Sequence, residues 1–94
     1  MKWRLVLAPK VETALRDLSP RIKRNIRACL EELCQDPHAG KALKDDLAGF
    51  YSFRVKRFRI VYRIEYYLIT IVVVGLGRRE GVYEELIGEL RRKG

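Results

Sequence analysis

Cysteine and histidine are scarce in this sequence, which contains two cysteines and one histidine among 94 residues. Cys29 and Cys34 are five positions apart on a predicted helix, so their side chains point in different directions, and no group of cysteines and histidines has the spacing of a metal site. We therefore predict no metal and no other cofactor. Both cysteines are interpreted as small core or near-core residues in a reducing compartment.

Long apolar runs are absent as well. The longest, residues 68–74, is far too short to span a bilayer, and residues 1–9 lack the apolar stretch of a signal peptide. The sequence also lacks repeats and low-complexity segments, and its hydrophobic content of 48% is ordinary for a globular protein. These absences predict a single domain over residues 1–94, no membrane association and a cytoplasmic location.

Acidic residues are the minority among the charged ones. The sequence has 20 Lys and Arg against 12 Asp and Glu, which gives a formal net charge of +8 and a pI near 9.9. Because Lys and Arg that neutralise phosphates release condensed counterions, this excess favours a polyanionic partner. Nucleic acid is the first interpretation and an acidic protein the second, and the two are compatible.

Hydrophobic periodicity and turn residues predict one α+β unit. Ser19 and Pro20 combine a helix N-cap with a proline at the first helical position, and Asp36 with Pro37 ends that helix. The first two helices have almost no linker, so they should form a helical hairpin that packs on a sheet. The predicted order begins with a strand over 3–7, a helix opened by Pro9 and the helix from Pro20, followed by a loop that begins at 36–40 and runs through 41–49. A meander of strands over 50–55, 58–65 and 68–76 and a short C-terminal helix complete it.

The first two strands of the meander are predicted to form a tight hairpin with Lys56 and Arg57 as its two-residue turn. Apolar and polar residues alternate along both strands, as expected of a sheet that is buried on one side. In this register Arg54 lies directly opposite Arg59 on the polar face. The other predicted pairs are Val55 with Phe58, Phe53 with Ile60 and Ser52 with Val61.

The opposed arginines point to a bound anion, most simply a phosphate, because like charges directly opposite each other destabilise a sheet. Cleaving RNA without a metal requires a base for the ribose 2′-hydroxyl, cations for the transition state and an acid for the departing 5′-oxygen. We expect Arg54 and Arg59 to clamp the scissile phosphate and Arg79, at the end of the last strand, to approach the same face. Tyr83, one helical turn beyond Arg79, would stack on a base or join the proton relay.

The sequence does not single out one residue as the base that accepts the proton of the ribose 2′-hydroxyl. His38, the only histidine, lies in a predicted loop and is interpreted as a surface residue. Arginine stays protonated in ordinary proteins, which argues against Arg54 as the base. The surrounding arginines disfavour a further positive charge on Lys56, so Lys56 is the better candidate, although its turn position limits its reach.

Each candidate also has a purely structural interpretation. The Arg54 and Arg59 side chains would splay over a solvated sheet face, and Arg79 would form an ordinary surface ion pair. Tyr83 would anchor the last helix with its hydroxyl in water. Lys41, in the predicted loop, has only a surface interpretation.

Several short motifs occur in a fixed order along nearly the whole chain. Together they resemble the RelE/ParE superfamily of toxins from type II toxin–antitoxin systems, which implies a RelE-like fold. The motifs are Leu47-Ala48-Gly49, Arg54-Val55, Phe58-Arg59-Ile60-Val61-Tyr62, the apolar strand, Gly77-Arg78-Arg79-Glu80 and Val82-Tyr83.

The resemblance implies an activity and its residues. RelE-type members are mRNA interferases that enter the ribosomal A site and cut the codon by 2′-hydroxyl attack, leaving a 2′,3′-cyclic phosphate and a 5′-hydroxyl. Two departures from the family pattern are Ser52, where some relatives carry a second basic residue, and Lys56, where the turn usually has glycine. The residues that match the family's basic and tyrosine positions are Arg54, Arg59, Arg79 and Tyr83.

The resemblance also implies partners, namely the ribosome, its mRNA and a cognate antitoxin that wraps the toxin. We expect further RNA contacts from Arg24, Arg27, Arg57, Arg63 and Arg78. One alternative is a ParE-like inhibitor of DNA gyrase, a branch that shares the fold but lacks the basic and tyrosine set. A second alternative is a non-catalytic basic RNA-binding module that shares only the sheet.

Overall fold

The sheet is the centre of the fold and has helices on both faces. The computed structural model describes residues 2–78 and 81–93, without the side chain of Lys93. Its elements are β1 (Arg4–Leu7), α1 (Pro9–Arg16), α2 (Pro20–Gln35), β2 (Lys41–Ala42), β3 (Phe50–Val55), β4 (Phe58–Glu65), β5 (Thr70–Arg78) and α3 (Gly81–Lys93), with short 3₁₀ turns at Pro37–Ala39 and Asp45–Leu47. The predicted α+β fold, with an N-terminal strand, a helical hairpin, a three-strand meander and a C-terminal helix, is confirmed.

The five strands are ordered β1-β5-β4-β3-β2. Strand β1 runs parallel to β5, and the other neighbours are antiparallel. Two predictions along the chain need correction. The predicted loop over 41–49 contains the two-residue edge strand β2, and the last strand begins and ends two residues later than predicted.

The predicted hairpin register is confirmed in full. Arg54 pairs with Arg59, and the other three predicted pairs also form between β3 and β4. At the turn, Lys56 has a φ of 54°, a left-handed conformation that costs a side-chain-bearing residue free energy. This geometry explains why glycine is favoured at such a turn position.

The larger core lies between one face of the sheet and the helical hairpin of α1 and α2. Leu33 and Ile60 are among its fully buried side chains, and the predicted apolar stripes of both helices face it. Ser19 occupies the N-cap position of α2, but its side chain makes no capping hydrogen bond. The backbone carbonyl of Ser19 instead accepts a hydrogen bond from the Lys23 amide at 2.9 Å.

A smaller core lies on the other face, beneath α3. Val61, fully buried, packs there against Val82 and Leu86. The prediction of a sheet buried on one side is therefore wrong at its centre. Room for the helix comes from Gly75 and Gly77 in β5, since a β-carbon at Gly75 would lie only 3.0 Å from Val82 Cγ2.

Helices α1 and α3 are also tied together by charge. Lys10 Nζ donates hydrogen bonds to Glu85 Oε1 at 3.1 Å and to Glu89. Partial burial lowers the pKa of Lys10, but the hydrogen bonds to Glu89 and Glu85 outweigh that effect and raise the pKa above its ordinary value. This bridge connects the helical hairpin to the C-terminal helix.

Tyr62 fixes the segment that leads into β2. Its fully buried hydroxyl donates to the Pro37 carbonyl at 2.7 Å and accepts from the Gly40 amide at 3.0 Å. A β-carbon at Gly40 would overlap this hydroxyl and approach the Ser52 carbonyl oxygen to 2.9 Å. Burial raises the pKa of Tyr62 to about 12. The hydroxyl therefore stays protonated and holds the start of β2 in place.

None of the helices formed by the described residues is both long enough and apolar enough to cross a bilayer.

Candidate active site

A cavity of about 640 Å³ opens between β2, the β3–β4 hairpin and the first turn of α3. Its walls come from separate parts of the chain that the sheet brings together. Helix α3 covers this face of the sheet only around Val61. The rest of the hairpin face is open, and polar side chains occupy it. The lining residues are Ala39, Lys41, Leu43, Ser52, Phe53, Arg54, Arg59 and Tyr83.

Arg54 and Arg59 stand side by side on one wall of this cavity. They are direct cross-strand partners, which places their β-carbons roughly 5 Å apart. The guanidinium carbon of Arg59 lies 5.3 Å from the centre of the Tyr83 ring, an attractive cation–π arrangement. Among residues 2–78 and 81–93, no carboxylate forms an ion pair with Arg54 or Arg59. Both cations are therefore available to an anion in the cavity.

The Tyr83 hydroxyl also meets a partner in the cavity, donating a hydrogen bond to Ser52 Oγ at 2.7 Å. In the sequence, Ser52 stands out only as a cross-strand partner of Val61 and as a position where some relatives carry a second basic residue. Its place two positions before Arg54 on the same strand face was the signal that it shares the site. The two hydroxyls form a short polar chain beside the arginine pair.

Lys41 is a second polar residue of the site that was not predicted from the sequence. It lies in β2, directly opposite Ser52 in β3, and its side chain lines the same cavity. A strand of two residues has no detectable hydrophobic period, so the sequence contained no signal for this pairing.

Three other predicted residues lie around a different cavity, of about 240 Å³, on the α2 face of the hairpin. Lys56, Arg57 and Arg78 line it together with residues of α2 and the hairpin. The Arg78 guanidinium carbon stacks 5.3 Å from the centre of the Phe58 ring. The fold therefore separates Lys56 from the Arg54–Arg59 wall, because its side chain lies on the opposite face.

The remaining predicted RNA contacts are dispersed. Arg63 follows Arg59 by four positions in β4, roughly 13 Å along the strand, and its Nε is paired with Glu65 Oε1 at 2.7 Å. Arg24 and Arg27 are exposed on α2, which packs on the opposite face of the sheet from the cavity. The fold brings none of these three to the Arg54–Arg59 wall.

Two sequence candidates remain, Arg79 and His38. Arg79 lies outside the described residues. His38 is exposed and contacts Tyr66, with 3.3 Å between the Tyr66 hydroxyl and His38 Nε2, and its ring lies edge-on to Tyr51. These contacts agree with its interpretation as a surface residue.

The cavity can bind and polarise a phosphodiester. Two guanidinium groups provide planar donors that match phosphate oxygens, Lys41 adds a third cation, and the Tyr83 and Ser52 hydroxyls can transfer or share a proton. The described part of its lining contains no histidine and no carboxylate. The chemistry it supports is therefore the binding of a polyanion with strong electrostatic stabilisation of added negative charge.

The family that includes this chain is identified by comparison with known proteins. The family model described as the ParE toxin of the type II toxin–antitoxin system, parDE, matches residues 5–83. Toxin RelG of Mycobacterium tuberculosis is 34% identical over 76 residues, which cover 76% of this chain and 87% of RelG. Toxin RelE of the same organism is 34% identical over 76 residues, which cover 76% of this chain and 78% of RelE.

Solved structures show the same fold. A chain of the RelBE2 toxin–antitoxin complex from Mycobacterium tuberculosis aligns with a TM-score of 0.77 and 27% identity, covering 84% of this chain and 93% of that chain. A mutant of the Escherichia coli toxin RelE in the free state aligns with a TM-score of 0.78 and 20% identity, covering 95% of this chain and 98% of that chain. This chain therefore belongs to the ParE toxin family of type II toxin–antitoxin systems, within the RelE/ParE superfamily.

Proposed function

We propose that this toxin is a ribosome-dependent, metal-independent mRNA endoribonuclease. The observation that carries the proposal is the Arg54–Arg59 pair, held side by side in a cavity next to Tyr83 with no ion-paired carboxylate in the described residues. Such a pair costs folding free energy unless an anion occupies the site, and the phosphodiester of RNA is an anion of matching geometry.

The proposed reaction is an internal transesterification. The ribose 2′-hydroxyl gives its proton to a relay that includes the Tyr83 and Ser52 hydroxyls, and its oxygen forms a bond to phosphorus. The bond from phosphorus to the 5′-oxygen breaks as that oxygen takes a proton back from the relay. The products are a 2′,3′-cyclic phosphate and a 5′-hydroxyl. Arg54 and Arg59 stabilise the charge that grows on the phosphoryl oxygens, with Arg79 as a third proposed donor.

Tyr83 is proposed to stack on a base or to join the proton relay of this reaction. Its ring is held by Arg59 and its hydroxyl by Ser52, so the phenol is oriented toward the cavity and can join the proton relay. Lys56 lines the cavity on the other face, so in this proposal it contacts RNA at the hairpin tip and does not act as the base.

The ribosome is the proposed setting because cations extend well beyond the cavity. In this proposal Arg57 and Arg78 near the hairpin and Arg24 and Arg27 on α2 contact RNA phosphates on the other face, and Arg63 lies farther along β4. A net charge of +8 supports association with a large RNA assembly.

A cognate antitoxin is the proposed protein partner, and the chain is proposed to work in the cytoplasm as a single domain over residues 1–94. Several relatives have been solved as toxin–antitoxin complexes, including an archaeal RelE–RelB pair from Pyrococcus horikoshii. The cationic cavity offers an acidic segment of an antitoxin the same contacts that it offers a phosphate. Growth arrest on expression, relieved by the product of an adjacent gene, would support this partner.

A translation extract programmed with a defined message tests the activity. We expect codon-phased cuts with 5′-hydroxyl ends from the wild-type toxin and none from a variant carrying both Arg54→Ala and Arg59→Ala. A message that stays intact with the wild-type toxin, or that is cut equally by the double variant, contradicts the proposal.

A second candidate function is inhibition of DNA gyrase, which is favoured by the match to the ParE toxin family model. A supercoiling assay separates the two functions. Blocked supercoiling together with an intact message would replace the ribonuclease proposal with the gyrase one.

A further inference from the structure

We propose that Lys41 is a further catalytic residue, whose ammonium group contacts the scissile phosphodiester beside Arg54 and Arg59. This inference rests on the ribonuclease function proposed above. It comes from the edge strand β2, which the fold adds to the hairpin and which places a third cation at the cavity.

Register places Lys41 at the site. Lys41 and Ser52 are direct partners across the β2–β3 pair, so their β-carbons are roughly 5 Å apart on one face of the sheet. Ser52 is followed two positions later on that face by Arg54, and it accepts the Tyr83 hydrogen bond at 2.7 Å. Lys41, Arg54, Arg59 and the two hydroxyls therefore surround a single cavity.

The backbone of β2 is anchored on both sides of Lys41. Before it, the Gly40 amide donates to the buried Tyr62 hydroxyl at 3.0 Å. After it, the Leu43 amide donates to the Phe50 carbonyl at 2.9 Å. A cation on a strand held at both ends is presented to the ligand with less loss of backbone entropy than one on a free loop.

The charge of Lys41 is available to a ligand. Its side chain is exposed, and within residues 2–78 and 81–93 no carboxylate forms an ion pair with it. Its long stem lets the ammonium group reach past the short Ser52 side chain opposite. A phosphate between the arginine wall and β2 would therefore contact cations from three strands.

Cleavage rates of single variants test the role. Lys41→Ala should lower the rate of message cleavage in the programmed extract by about 10- to 100-fold, because an oriented donor to the transition state is lost. Lys41→Arg should keep most of the rate, since it retains the charge. Lys2→Ala, which removes the same charge from an exposed residue outside this cavity, is the matched control and should cut at the wild-type rate. Equal rates for Lys41→Ala and Lys2→Ala would overturn the inference.

A double-mutant cycle distinguishes a local charge from a structural effect. Ser52→Lys places an ammonium group on the strand position opposite Lys41. Adding Lys41→Ala in that background should therefore lower the cleavage rate by less than about threefold. If Lys41→Ala lowers the cleavage rate equally in the wild-type and Ser52→Lys backgrounds, or lowers the melting temperature, Lys41 acts through the fold and the inference is overturned.

The proposed function and this inference fail in different ways. If the wild-type toxin cuts and Lys41→Ala cuts equally well, only the role of Lys41 is lost. If the wild-type toxin cuts no message, the ribonuclease function falls, and binding of a short RNA at several salt concentrations still tests the contact. Lys41→Ala should then reduce the slope of log Kd against log salt by about 0.7, and an unchanged slope would contradict the phosphate contact.

Discussion

Replacing Tyr62 with phenylalanine tests how the fold positions the edge of the site. The substitution removes one hydroxyl from a fully buried position and leaves the Pro37 carbonyl and the Gly40 amide without their partner. Losing the shared partner of one buried and one partly buried backbone group costs about 2 kcal/mol of unfolding free energy. For a chain of this size that corresponds to a melting temperature lower by roughly 10 °C.

The same substitution should remove a pH dependence. Burial raises the pKa of Tyr62 to about 12, above the value of about 10 in an unfolded chain. The unfolded state therefore loses this proton first, so the stabilisation is complete below pH 10 and is lost as pH rises from 10 through 12. Between pH 9 and pH 11 the loss amounts to about 1 kcal/mol in the wild-type protein and should be absent from Tyr62→Phe.

Urea unfolding of both proteins at a series of alkaline pH values provides the measurement. The difference between their unfolding free energies should narrow as pH rises above 10, because tyrosines common to both proteins contribute equally. Parallel curves with the same midpoint would refute the account of Tyr62 as the residue that fixes the start of β2.

The remaining predictions concern the placement of α3. Gly75→Ala should lower the unfolding free energy by about 1 kcal/mol, because the new β-carbon would lie only 3.0 Å from the Val82 side chain. Gly77→Ala should cost less, since its β-carbon would lie 3.4 Å from the nearest Val82 atom. Equal urea midpoints for the two variants would contradict this. Lys10→Met should cost less than about 1 kcal/mol, since its two carboxylate partners on α3 are partly exposed, and the difference should shrink in high salt. Because the pKa of Lys10 is raised in the folded state, this stabilisation is complete when the pH is below the ordinary lysine pKa. It is lost as the pH rises through the folded-state pKa, and thermal unfolding at alkaline pH would measure the loss.

Sequence patterns predicted the parts of the fold where two signals agree. In the β3–β4 hairpin, the alternation of apolar residues and the two-residue turn require the same register, and a shift by one position would bury Arg54 and Arg59. The apolar stripes of α1 and α2 likewise have one face that fits the sheet. These elements were predicted because a wrong arrangement would bury charge or expose the core.

Other elements were not predictable for physical reasons. The turn before β5 consists of aromatic and apolar residues and includes Ile69 at a φ of 48°, so it lacks the usual turn residues and the strand was placed two positions early. Strand β2 is too short for any periodicity, and its position depends on the buried Tyr62 hydroxyl, which is a tertiary contact. The cover over Val61 depends on where α3 docks, which the strand pattern does not encode.

The candidate site follows the same division. The arginine pair was predictable because it depends on one hairpin, and its register is confirmed. The Tyr83–Ser52 hydrogen bond and the place of Lys41 in the cavity depend on how α3 and β2 meet the hairpin, so only the folded chain reveals them. Lys56 could not be placed from charge alone. Arginines surround it in the sequence, but its side chain lies on the other face of the hairpin from Arg54 and Arg59.

Cleavage by Arg59→Ala, measured beside its stability, tests most directly whether the cavity holds the scissile phosphate. The lost cation–π contact with Tyr83 should cost only about 0.5–1 kcal/mol of unfolding free energy, while cleavage of ribosome-bound message should fall by at least about 100-fold. Arg16→Ala, which removes an exposed arginine from α1, is the control and should cut normally. Cleavage by folded Arg59→Ala at the wild-type rate would contradict the account.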